Sequence, residues 1–315
     1  MRQALLSLAI IGLAFPFLAA SPAQAQAART WVSGTGNDAN PCSRTAPCRT
    51  FDQALTVTQP GGEINCLDAG DFGGLNITMS VTISCQAGTA GMVAQEFGTL
   101  GTRVHAATTD VVTVRGLDIK GQDYSGAGIF IESAKAVHIE KCTIRNVRAN
   151  PVTAAGIFIG SVAATIFLFV EDTVISDNSV GIRLASTGGF KVASLKNVVI
   201  TGSTSDGLQL PDSNTYANVT KSIISGNGGS AVVAGSSSST VNIDRSTIAN
   251  NAVALNAAVS GATIRISGNN IYNNTTGFVI GGTFFFPALI ESDNTNNTGG
   301  SNGGATVPNA SLAKN

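Results

Sequence analysis

Seven isoleucines, Ile119, Ile144, Ile175, Ile200, Ile224, Ile248 and Ile271, recur at intervals of 25, 31, 25, 24, 24 and 23 residues. Three more apolar columns keep step with them. Five residues upstream stand Val114, Ile139, Val170, Leu195, Val219, Ile243 and Ile266. Downstream, after a glycine or alanine in most repeats, come Ile129, Ile157, Ile182, Leu208, Val232, Leu255 and Phe278. Two residues further are Ile131, Ile159, Leu184, Leu210, Ala234, Ala257 and Ile280. Apolar and polar residues alternate over four or five positions around each column, which is the period of a strand. Gly, Asn, Ser and Asp separate the runs and supply turns.

A unit of this length cannot close a core alone and must stack on its neighbours. Equal columns then lie one strand spacing apart, roughly 4.8 Å, so that Ile rests on Ile. The expected fold is all-β, a single-stranded right-handed parallel β-helix. Burial of each large aliphatic side chain contributes about 1.5–3 kcal/mol. A leucine-rich repeat or a propeller blade would carry other signatures, and neither is present.

Ahead of the repeats, Trp31-Val32-Ser33 reads as a strand and the Gly/Asn/Asp/Pro-rich piece after it as a loop. Thr50 and Gln53 form a capping box, and Phe51, Ala54, Leu55 and Thr58 give one face of a short helix ended by Pro60-Gly61-Gly62. A helix here would cover the first turn of the solenoid, whose unpaired edge otherwise invites association.

The segment WVSGTGNDANPC…APCRTFDQAL…PGGEINCLDAGDF, Trp31 to Phe72, resembles the amino-terminal signature of secreted bacterial right-handed parallel β-helix proteins of the pectin-lyase-like superfamily. The resemblance implies this fold and export. It also implies a set of possible activities, since the superfamily holds polysaccharide lyases, hydrolases, esterases, epimerases and adhesins. Fold alone does not choose among them.

Four segments are expected: a signal peptide over 1–25, a strand, loop and capping helix over 26–63, the β-helix over 64–290, and a polar, flexible tail over 291–315. Arg2, the apolar run Ala4 to Ala20 and the small-residue end Ala23-Gln24-Ala25 carry the first of these. The protein is therefore placed in the periplasm or outside the cell, with no membrane contact once the leader is removed. Cysteine usage agrees. Cys42 and Cys48 bracket a short loop, and Cys66 and Cys85 hold matching places in successive segments, within disulfide reach if these are neighbouring turns. Cys142 falls in an inward column with Leu117, Thr173, Val198, Ser222 and Ser246 and reads as a buried thiol. Residues 86–110 are the least regular, with Phe97, Leu100 and Val104 hinting at one degenerate turn.

A net charge of −1 leaves no basic footprint for nucleic acid. The catalytic patterns that the resemblance implies are missing: there is no Gly-His-Gly, no Gln-Asp-Thr, and Arg148-Ala149-Asn150-Pro151 lacks the second arginine of a lyase-like segment. His105 and His138 read as surface residues.

Two outward columns remain. One runs Arg115, Glu140, Glu171, Lys196, Thr220, Asp244, Ser267. Stacking brings Glu140 and Glu171 about 5 Å apart, near the spacing of a retaining glycosidase pair, with Asp172 adjacent. These acids can also hold Ca²⁺, the one cofactor considered; the competing reading is a solvated charge ladder. The other column runs Phe130, Phe158, Arg183, Gln209, Val233, Asn256, Val279. Stacked phenylalanines followed by Arg and Gln suit a sugar strip, in which a guanidinium pairs with a uronate carboxylate. Loops at Asp123-Tyr124 or Asn150-Pro151 are the alternative cover for them. Only the turn between Ile144 and Ile175 carries an insertion, so deep groove walls are not expected. Asn146, Asn178, Asn227, Asn250 and Asn273 read as turn residues stacked in register. The leading expectation is a monomeric scaffold that binds a polysaccharide or cell-surface glycan through Phe130, Phe158, Arg183 and Gln209. The alternative is a polysaccharide lyase, glycoside hydrolase or epimerase.

Overall fold

The computed structural model describes residues 26–86, 91–94, 101–121, 126–148, 154–160, 164–185, 188–283, 286–300 and 308–311. The expected signal peptide over 1–25, Phe97, Leu100, Asp123-Tyr124 and Asn150-Pro151 lie outside them.

One coil of the chain visits three sheets in turn. Lys191–Lys196 lies in the first, Val199–Thr201 in the second and Leu208–Leu210 in the third, and Thr215–Thr220 then returns to the first. Each strand pairs in parallel with its equivalents one repeat before and after, giving sheets of 12, 10 and 9 strands. The registers join the expected columns residue for residue: Ile119, Ile144, Ile175, Ile200, Ile224, Ile248 and Ile271 are consecutive partners in the second sheet. Those isoleucines are all buried. The protein is thus a parallel β-helix, and its core is a set of aliphatic ladders. A further inward ladder, Val112, Val137, Leu168, Ala193, Ala217, Val241, Ile264 and Ile290, lies in the first sheet. The degenerate region supplies another coil, with Val93 partnering Ile119 and Val104 partnering Ile131.

Corners between sheets interrupt the ladder, and the sequence handles them in two ways. Left-handed residues turn the chain: Gly116, Lys141, Asp172, Asn197, Lys221, Arg245 and Gly268 between the first and second sheets, and Asn146, Asp177, Gly202, Gly226, Asn250 and Asn273 after the second. Buried side chains then take over for missing carbonyls. Behind the first corner, Thr173 Oγ1 accepts from Cys142 N at 3.2 Å, Ser222 Oγ from Val198 N at 3.1 Å and Asn269 Oδ1 from Ser246 N at 2.8 Å. Behind the second, Asn178, Asn227, Asn251 and Asn274 accept from backbone N–H groups of the preceding coil at 3.0–3.1 Å. The five asparagines expected to be alike therefore divide. Asn146, Asn250 and Asn273 turn the chain, whereas Asn178 and Asn227 are buried hydrogen-bond relays.

The amino-terminal end is covered as expected. The helix Phe51–Val57 has Thr50 as its N-cap, its hydroxyl accepting from Gln53 N at 3.2 Å. The reciprocal half of the capping box is absent, because Thr50 N donates to Asp38 Oδ1 at 2.9 Å. The helix also ends earlier than Pro60-Gly61-Gly62, since Thr58–Cys66 already pairs with the first strand, Ala27–Val32. That first strand exchanges Trp31 N to Cys42 O (2.8 Å) and Cys48 N to Trp31 O (3.0 Å), so the disulfide loop closes its outer edge. Disulfides join Cys42 to Cys48 and Cys66 to Cys85, with Cα separations of 4.6 and 4.8 Å.

At the other end the solenoid runs past the expected boundary at 290. Asn297–Gly299 pairs with Asn270–Tyr272, and Ala310–Ser311 pairs with Leu289–Ser292. Part of the segment expected to be a flexible tail is thus a further, shorter coil. Phe286–Pro287 forms a two-residue antiparallel pair with Gly282–Thr283 outside the three sheets, consistent with a proline that cannot extend the ladder. Among the described residues no helix is long and apolar enough to cross a membrane.

Cys142 is the free cysteine, buried in the column predicted for it. Burial pushes its thiol from 9.0 up to about 11. Below pH 9 both folded and unfolded thiols are protonated and its contribution is intact; between pH 9 and 11 only the unfolded chain ionises, and stability falls. The native protein is expected to resist a thiol reagent at pH 8 and to release one reactive thiol per chain on denaturation. Cys142→Ala should flatten the loss of stability above pH 9. Rapid labelling of the folded protein would contradict this placement.

Candidate functional site

The outward column of the third sheet is continuous over the coils that carry the predicted strip. Arg103, Phe130, Phe158, Arg183 and Gln209 are successive register partners. Inward neighbours such as Ile129, Ile131, Ile157 and Ile159 are fully buried, so strand alternation points these side chains to the surface. Phe130 and Phe158 have ring centroids 5.3 Å apart with planes tilted by 39°. The Arg183 guanidinium lies over Phe158, 6.0 Å from its centroid. Its Nη1 donates to Gln209 Oε1 at 2.8 Å, and Gln209 Nε2 donates to Asp206 Oδ2 at 3.0 Å. Phe130, Phe158, Arg183 and Gln209 are all half-buried, so each keeps accessible surface.

Asp206 had no place in the sequence reading. It sits in the turn before Leu208–Leu210, and its other oxygen accepts from Ser230 N at 2.7 Å. Burial raises its carboxyl above the ordinary range; the hydrogen bonds from Ser230 and Gln209 and the nearby Arg183 oppose the rise. Its effect is to hold Gln209, and through Gln209 the guanidinium, in one orientation. Next to Phe130, Arg103 Nη2 and His105 Nδ1 both contact Glu132 Oε2, at 2.7 and 2.9 Å.

The acidic column of the first sheet is also in register, Arg115, Glu140, Glu171, Lys196. Its two glutamates each contact a different cation. Glu140 pairs with Arg115 at 2.8 Å, and Glu171 pairs with Lys196, whose ammonium is held above its usual range by that hydrogen bond. Asp172 is a left-handed corner residue whose Oδ1 accepts from Asn197 Nδ2 at 2.7 Å. Each of these three acids thus has a side-chain partner on the following or preceding coil. Among the described residues no three His, Cys, Asp or Glu side chains converge as a metal site.

The first sheet carries a second feature that periodicity concealed. Phe167 and Phe169 are each 39% exposed, beside Phe190 and Tyr216, and Phe169 stacks on His138 at 4.6 Å. The signal was present: Phe167 and Phe169 occupy the outward phase between Ile166, Leu168 and Val170. An uninterrupted apolar run reads as wholly buried, which is why they passed unnoticed.

This architecture, stacked parallel strands in three sheets with one short helix, defines a parallel β-helix of the pectate-lyase-like kind. A crystal structure of pectate lyase Pel9A superposes with a TM-score of 0.51 at 13% identity, covering 79% of this chain and 76% of that one. A GH136 lacto-N-biosidase from Eubacterium ramulus superposes with a TM-score of 0.50 at 10% identity, covering 91% and 67% respectively. At such identities the likeness is one of fold. Residues 88–298 match the family described as periplasmic copper-binding protein (NosD), and the chain belongs to that family. The family is periplasmic, and the two disulfides fit a compartment outside the cytoplasm. No curated protein matches the chain.

The family's description raises copper, and the described residues do not fit it. Copper sites gather imidazole, thiolate or thioether ligands. Here His105 is in the third sheet against Glu132, His138 is in the first against Phe169, the Cys142 thiol is sealed in the core, and Met79, the one thioether whose side chain is described, lies in the turn between Leu75–Ile77 and Val81–Ser84. No step is derived through the metal.

Proposed function

We propose that the protein is a non-catalytic, monomeric glycan-binding scaffold of the cell envelope that contacts acidic polysaccharide through Phe130, Phe158, Arg183 and Gln209. The observation that carries this reading is the braced guanidinium. Arg183 lies over Phe158 and is tied to Gln209, which is tied in turn to Asp206. A guanidinium held in one orientation loses less freedom on meeting a carboxylate, and the adjoining aromatic edges cover the apolar face of a sugar ring. The strip is a flat outward column one strand spacing per residue, suited to an extended chain laid along the solenoid. Paired acids in the other column support binding rather than turnover, because Glu140 and Glu171 are each engaged with a cation.

The test is retardation in native gels containing polygalacturonate or alginate. The mature protein is expected to be slowed, and Arg183→Ala to weaken retention at least about tenfold, in line with loss of a charge-assisted hydrogen bond. Ca²⁺ is expected to be unnecessary. Equal retention of wild type and Arg183→Ala, or no retention of either, would remove the strip from consideration.

A further inference from the structure

The aromatic stack on the first sheet ends at Phe169, and the next rung carries a serine in place of a ring. Its column runs His138, Phe169, Ser194, Asn218, Asn242 in unbroken register. His138 covers one face of Phe169, with ring planes only 11° apart and centroids 4.6 Å apart. His138 is on the rung before Phe169 and Ser194 on the rung after it, so the face of Phe169 turned away from His138 is the one on the Ser194 side. That rung carries Ser194, whose side chain is too small to cover a ring. The rung after it carries Asn218, an exposed amide whose Oδ1 already accepts from Asn242 Nδ2 at 2.8 Å. The NH₂ end of Asn218 has no partner among the described residues.

Two rungs separate the backbone of Phe169 from that of Asn218, about 9.6 Å at the usual strand spacing. A ring seated against Phe169 takes roughly 4 Å of this. The remainder brings its other side within reach of the Asn218 amide and places its edge over the Ser194 hydroxyl. In the neighbouring outward column Val192 stands beside Ser194 and Tyr216 beside Asn218, with the Phe190 ring 6.1 Å from that of Tyr216.

We infer that the notch over Ser194, between Phe169 and Asn218, is a second glycan site that admits one neutral hexopyranose unit edge-on. The chemistry of the walls selects the occupant. One wall is an aromatic face that packs against axial C–H groups; the opposite wall and the floor are amide and hydroxyl groups that meet sugar hydroxyls. A flat aromatic guest would leave those donors unused, and a hydrocarbon would leave them buried without partners. The nearest cation, Lys196, is already paired with Glu171, so nothing in the notch calls for an anionic sugar. The site is on a different sheet from the Arg183 strip and stands independently of it.

The experiment is native electrophoresis of the mature protein through gels containing galactomannan, mixed-linkage β-glucan, xylan or dextran. At least one of these polymers is expected to retard the wild type. Ser194→Phe fills the empty rung with a ring and is expected to weaken that retardation at least tenfold while the unfolding transition stays at its wild-type position. Phe169→Ala removes the wall without adding bulk and is expected to act in the same direction. Free migration of the wild type through all four gels would overturn the inference, as would retardation of both variants equal to wild type.

Discussion

Asn251→Ala is expected to lower stability by about 3 kcal/mol or more, whereas Asn250→Gly one residue earlier should stay within about 0.5 kcal/mol of wild type. The two asparagines are adjacent in sequence and opposite in role. Asn251 is 2% exposed, and its Oδ1 accepts from both Asn227 N at 3.1 Å and Asn227 Nδ2 at 2.9 Å. Its Nδ2 donates to Ile224 O, Ala249 O and Asn274 Oδ1 at 3.0–3.1 Å. Alanine strips these bonds and strands two donors of Asn227 away from water, each costing about 1–3 kcal/mol. Asn250 is exposed with φ at 58°, in a corner where Gly202 and Gly226 serve elsewhere, so glycine is accepted without strain. Urea unfolding followed by circular dichroism checks both. Equal midpoints for Asn251→Ala and wild type would mean that the buried amide relay is not part of what holds the coils together.

Gly181→Val carries the second large effect, a loss of about 3 kcal/mol from overpacking the inside of the strand Val180–Leu184, where there is no space to yield. A Cβ at Gly181 would stand 2.4 Å from Gly207 O and 2.4 Å from Ile200 Cγ2. One neighbour is backbone held by the next coil, and the other is a rung of the central isoleucine ladder. The same crowding recurs at Gly128, Gly156 and Gly207, where the added carbon would meet the following coil's carbonyl at 2.6–2.8 Å. Alanine stands at Ala231 and Ala254, fully buried, so a single methyl is the upper limit this column accepts. Gly181→Ala should therefore cost less than Gly181→Val. An unchanged urea midpoint for the valine variant would show that the coils are free to move apart at this strand.

The glycine column also shows why the fold was legible in the chain. A parallel β-helix repeats its backbone almost without change, so an inward position demands the same residue type at every coil. Ile119 to Ile271 and the three companion columns advertise that demand directly. The ladder from Val112 to Ile290 was harder to see because Ala193 and Ala217 dilute it. Corners were misread for a different reason. Left-handed geometry admits Asn, Asp, Gly and even charged residues, so Asp172 looks like a candidate acid beside Glu171 when it is a turn residue. The two asparagine roles fall one position apart in a repeat whose length varies from 23 to 31 residues, and composition alone does not separate them.

The candidate site was legible to the extent that it is periodic. Phe130, Phe158, Arg183 and Gln209 share one column and could be aligned by counting. Asp206, which braces Gln209, lies in a turn of variable length and has no counterpart to align with. Ser194 is invisible for the opposite reason: its meaning comes from the ring missing at its rung, and only the register with Phe169 and Asn218 reveals it.

The most direct measurement is to incubate the protein with polygalacturonate and alginate, with and without Ca²⁺, and follow both polymer size and unsaturated product. A binding scaffold predicts polymers that are retained by the protein yet keep their length, with Glu140→Gln indistinguishable from wild type. Shortening of either polymer that disappears in Glu140→Gln would contradict the account and turn the charge ladder of the first sheet into an active site.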